Sequence, residues 1–136
     1  MSDISNLYDE KKFINKVLVL SSVIILLAAV EAFMMAKDID IYAVFKKLNP
    51  ASDQSQYINF VLLRFISIII HPVLVSLFVY FTKDRYINEK MFKMFFIAMT
   101  LIQLVNLIFQ FNLNSIFYYL IIIAHIYLLV LIIKKK

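Results

Sequence analysis

The sequence predicts an all-α integral membrane protein: a four-helix bundle of four transmembrane helices with both termini cytoplasmic. Three observations carry this reading. Four long apolar runs, each holding at most one charge, are separated by polar connections, and each run is about as long as the ~20 residues of helix that cross a bilayer. Hydrophobic residues make up 63% of the chain and charged residues 17%, a balance far from that of a soluble domain. The apolar runs are continuous and do not alternate, so no strand or barrel is expected.

Residues 1–16 are polar and mixed in charge. Ile4, Leu7, Tyr8 and Ile14 have rough helical spacing, which fits a short helix on the membrane surface as well as it fits a frayed terminus. The first span is 17–36, between Lys16 and Lys37, with Glu31 as its one charge. Val30-Glu31-Ala32 resembles a signal-peptidase site, but the segment is read as retained. An extracytoplasmic linker, 37–56, follows. Asp40 is expected to cap a short interfacial helix with Ile41, Tyr42, Phe45 and Leu48 on its apolar side, ended by Asn49-Pro50. Asp53 is placed to cap the next helix.

The second span, 57–82, is longer than a bilayer requires, so tilt or a bend is expected. Pro72 lies inside it. Proline has no N–H and crowds the carbonyl four residues back, here that of Ile68. Residues 83–93 form a charged connection, and the third span is 94–111. A polar turn at 112–114 leads to the fourth span, 115–133, which is closed by the lysine tail 134–136. Lys11, Lys12, Lys16, Lys83, Arg85, Lys90, Lys93 and the three terminal lysines would share one side, against Lys37, Lys46 and Lys47 on the other. The positive-inside rule therefore assigns both termini to the cytoplasm.

Glu31 and Arg64 are the only charged residues within the spans. Counted from the linker side at about 1.5 Å per residue, Glu31 lies ~7 Å deep and Arg64 ~10 Å deep. An intramembrane ion pair between neighbouring helices is the simplest expectation, because either charge alone is costly in lipid. A polar seam accompanies it. Tyr57, Arg64, Ser67 and His71 share a face of the second span, with Asn59 pointing elsewhere. Thr100, Gln103, Asn106 and Gln110 line the third. Asn114, Tyr118 and His125 line the fourth, and Ser21, Ala28 and Glu31 the first. Such residues more often serve as interhelical hydrogen-bonding glue than as an ion path.

His71 and His125 sit near mid-membrane on different helices, which makes them the chain's candidates for bis-imidazole b-haem ligation. A hydrogen bond at the Pro72 bend, to backbone or glutamine, is the commoner use of such histidines. A haem also wants small residues beside the ring, which a chain without glycine supplies poorly. No metal site is expected, since no third ligand shares their depth, and no cofactor is called for.

The chain has no glycine, cysteine or tryptophan. This excludes phosphate-binding glycine loops, disulfides and thiolate chemistry. The net charge of +5 flanks the hydrophobic runs and forms no groove-sized patch, so no nucleic-acid partner is expected. No nucleophile–base–acid spacing or paired carboxylates occur within the spans. The sequence thus points to a small non-catalytic protein of the cell membrane. It would act through helix–helix contacts with a membrane-protein partner or its own copies, in contact with the lipid bilayer, as an accessory subunit or a protective or regulatory protein. The alternative is a small oligomeric transporter or channel using a Glu31/Arg64/His71 seam.

Overall fold

The computed structural model describes residues 2–82, 89–110 and 115–135. They form five helices: α1 (Ser2–Lys37), α2 (Ile39–Leu48), α3 (Gln54–Thr82), α4 (Glu89–Phe109) and α5 (Ile116–Ile133). No strand occurs among the described residues. Four of the helices, all but α2, are long and apolar enough to cross a membrane. α1 packs against α3 and α5, and α4 packs against α5 and α3. The long helices therefore run in the ring order α1–α3–α4–α5, with α3 diagonal to α5. One end of the bundle carries α2 and is called here the linker end; the other carries both termini.

Several boundaries differ from the sequence reading. The N-terminal segment is neither a separate surface helix nor frayed from Ser2 onward; it continues into the first span as one helix of 36 residues. Its rise is about 54 Å, more than the hydrocarbon thickness. Phe13 and Ile14 on this extension pack on the core, which gives its inner turns a reason to stay helical. α4 begins at Glu89, so the helix takes in part of the 83–93 connection. The 112–114 turn, Asn114 and residues 83–88 lie outside the described residues.

The linker helix is capped by Asp38, not Asp40. Asp38 is extended, and its carboxylate accepts from the Asp40 and Ile41 amides at 2.9 and 3.1 Å. Asp40 falls in the first turn, where a negative charge complements the helix dipole. Asn49 ends α2, its N–H donating to Phe45 O at 2.9 Å. Ile41, Tyr42 and Phe45 pack on buried Tyr57 and Met35 at the linker end, whereas Leu48, expected on the same face, is exposed. α3 opens with a reciprocal cap. The Gln56 amide donates to Asp53 Oδ1 at 2.8 Å, and the Asp53 amide donates to Gln56 Oε1 at 3.1 Å. Ser115 caps α5 through the Tyr118 amide.

The inward faces follow a repeat close to 3.5 residues. On α1 the buried positions are Val17, Ser21, Ile24, Ala28, Glu31 and Met35, at steps of four and three. On α3 they are Tyr57, Val61, Ile68, His71, Val75 and Val79, with Arg64 filling the missing step and Pro72 buried beside His71. This is the knobs-into-holes seam of a left-handed bundle. Ala28 and Ala124 supply the close approaches for which the chain has no glycine.

Candidate functional site

Most residues of the polar stripes turn inward and form three layers along the bundle axis. The layer nearest the linker end is built on Arg64. Its Nη2 donates to Glu31 Oε1 on α1 at 3.0 Å, and its Nη1 donates to the backbone carbonyl of Gln110, just past the end of α4. One guanidinium thus joins three helices. It meets a carboxylate on one side and the negative end of a helix dipole on the other, both suited to a rigid cationic fork. The two charged side chains are 8% and 2% exposed. Such a pair sits in low dielectric, where removing one partner costs far more than the pair itself contributes.

Ser67 and the end of α4 extend this layer. Gln110 Nε2 donates to Ser67 Oγ at 2.6 Å and to Asn106 Oδ1 at 3.0 Å, while Ser67 Oγ donates to Arg64 O at 2.8 Å. Asn106 is half-buried. Two tyrosines stitch the neighbouring helices. Tyr57 donates to Met35 O near the end of α1, and Tyr118 donates to Leu107 O on α4 at 2.9 Å.

The middle layer answers the proline. Pro72 cannot donate to Ile68 O, so the carbonyl of this buried residue lacks its usual intrahelical donor. Gln103 on α4 supplies the donor. Its Nε2 lies 3.3 Å from Ile68 O and 3.1 Å from Ser67 O. A side-chain amide from a neighbouring helix is one of the few ways to re-satisfy backbone freed at membrane depth.

The third layer holds the histidines. His71 meets Thr100 Oγ1 through Nε2 at 3.0 Å, and Thr100 Oγ1 also lies 2.6 Å from Phe96 O. A carbonyl only accepts, so the single hydroxyl proton goes to Phe96 O. His71 Nε2 must then carry a proton and donate. His125 Nδ1 lies 2.9 Å from Ile121 O, so Nδ1 is the protonated nitrogen of that ring. The two rings touch across the bundle diagonal, with centroids 5.8 Å apart and planes tilted by 38°.

The polar seam is therefore not one continuous set. Glu31 and Arg64 come together, with Ser67 and Asn106 beside them. Gln103 serves the backbone at Pro72, and His71 and His125 meet each other rather than the ion pair. Asn59 is exposed on the outer face of α3. Gln110, Thr100 and Tyr118, read from the sequence only as members of the third- and fourth-span stripes, carry bonds that hold these layers together. Their signal was present: each falls on the inward face at helical spacing, and Gln110 stands four residues after Asn106. The partner of Arg64 on α4, a backbone carbonyl, has no sequence signature. Among the described residues, no group of three or more histidine, cysteine or carboxylate side chains is placed to hold a metal ion. No protein-family model, curated protein or solved structure matches the chain.

Proposed function

We propose that this is a non-catalytic multi-pass protein of the cell membrane, with both termini cytoplasmic, that acts through helix–helix contacts as an accessory subunit or a protective or regulatory membrane protein. The observation that carries this reading is the closure of the Arg64–Glu31 pair within one protomer. The only two charges in the sequence-defined spans neutralise each other, nearly fully buried, with the arginine's second arm on a backbone carbonyl. A transport path built on this charged seam would need Glu31 or Arg64 within reach of solvent or substrate. His71, the third member of the alternative transport seam, is engaged with Thr100 and His125 instead. Large apolar side chains such as Leu26, Phe33, Leu63, Ile102 and Ile123 cover the outside of the long helices, leaving lipid and apolar partner helices as the surfaces this exterior suits.

Reconstitution into proteoliposomes tests the proposal. Vesicles holding the full chain should show no proton or cation flux above empty vesicles. Mild-detergent purification should yield a stoichiometric membrane-protein partner or a defined homo-oligomer. A flux present with the natural chain and abolished by Glu31→Gln would overturn the contact reading in favour of transport.

A further inference from the structure

The tautomers set by Thr100 and Ile121 leave one lone-pair nitrogen on each histidine. Neither His71 Nδ1 nor His125 Nε2 has a hydrogen-bond partner, and the residues are 2% and 0% exposed. Buried acceptors are rarely left unmatched without a role. Here two of them belong to rings in contact across the centre of the bundle. Each ring is held by its other nitrogen, one on a neighbouring helix and one on its own backbone. That is how proteins orient imidazole ligands: the far N–H is fixed so that the near nitrogen is presented as a donor.

We propose that His71 and His125 form a two-nitrogen site for a soft monovalent cation of the Cu(I) class. The donor set selects the ion. Two neutral imidazoles fall short of the four ligands that a structural zinc site needs, and among the described residues no other histidine, cysteine or carboxylate is grouped with them. The nearest carboxylate on α1, Glu31, is paired with Arg64, itself seven residues or about 10 Å along α3 from His71. With no carboxylate grouped with the histidines among the described residues, a divalent cation is disfavoured in low dielectric. A d¹⁰ monovalent ion accepts two nitrogen donors in line and carries half that charge. Ser21 also has a buried hydroxyl without a partner, but a neutral hydroxyl is a poor donor to a soft ion. A larger group is excluded by the packing. One turn to either side of the pair, Ile68, Val75, Ile121 and Leu128 are all buried, and a macrocycle would have to displace them.

Ag(I), a redox-inert stand-in for Cu(I), provides the test. The detergent-purified full chain should take up one Ag(I) per protomer in competition with a chelator. X-ray absorption of the complex should show nitrogen neighbours, which separates this site from the thioethers of the chain's six methionines. His71→Phe and His125→Phe, each checked for native helicity, should lose the nitrogen-ligated ion. Thr100→Val keeps both ligands and removes only the group that orients His71; it should weaken binding by ~10–100-fold, the usual effect of losing such an orienting contact. No uptake by the folded natural chain would overturn the proposal and leave the two nitrogens to a bridging water. Binding with sulfur neighbours only, or binding unchanged by Thr100→Val and both phenylalanine variants, would overturn it equally.

Discussion

At the linker end, Arg64 draws α1, α3 and α4 together through Glu31 and the Gln110 carbonyl, with Ser67, Asn106 and two tyrosines bonded around it. At the terminal end all four long helices meet through Val17, Val79, Phe92, Phe96, Leu128 and Ile132, with Phe13 and Phe78 packed against them. The contrast teaches what each kind of contact can specify. In lipid there is little hydrophobic drive to bring one apolar helix face rather than another against its neighbour. Apolar packing at the terminal end therefore holds the helices by fit alone, and many rotations would fit nearly as well. Hydrogen bonds and charge at the linker end are directional and costly to leave unmade. They fix rotation and register for the whole bundle, and the apolar end inherits the result.

The largest test of this contrast is the ion pair. Glu31→Gln strands the Arg64 cation and should lower stability in detergent by about 3–5 kcal/mol. Adding Arg64→Gln should restore part of the loss, read as folded yield and melting temperature for both singles and the double. A double variant worse than the sum of the singles would break the assignment of register to this pair. Next comes the proline layer. Gln103→Leu leaves the Ile68 carbonyl without its lateral donor and should cost about 1–3 kcal/mol. Pro72→Ala returns a backbone N–H to that carbonyl, so Gln103→Leu should cost clearly less in the Pro72→Ala background. Equal costs in the two backgrounds would mean that Gln103 has some other task. The smallest effect belongs to the apolar end. Leu128→Met conserves volume and should cost below about 1.5 kcal/mol, and chemical crosslinks across the linker end should be unchanged. A shift of those crosslinks would show that register is set from the terminal end as well.

Much of the site was legible in the sequence because charge at membrane depth is so constrained. Glu31 and Arg64 had only each other among charged residues in the spans, and counting residues from the linker put them at comparable depth; their side chains meet at 3.0 Å. Pro72 announced a freed carbonyl, and the third-span amides offered donors, but not which amide would reach it. His71 and His125 were visible as a pair at one depth. The diagonal ring order that brings them into contact was not. Asp38 and Asp40 show the limit on the local scale. Either aspartate could begin a helix, and the choice fell to Asp38 because the chain is extended there, directly after α1 ends.

Sequence by itself determined that four segments enter the membrane. Insertion is nearly a sum over residues, and the backbone must satisfy itself as helix in hydrocarbon whatever its neighbours do. Which side of each helix faces inward was decided only by the tertiary structure. On α5, Ile121, Ile122 and Ile123 are identical and consecutive, yet Ile121 is fully buried, Ile122 half-buried and Ile123 is 61% exposed. A helix that is apolar all round carries no internal signal of direction. Its rotation is set by the few polar side chains that meet other helices: the Tyr118 hydroxyl bonds Leu107 O on α4, and the His125 ring packs on that of His71.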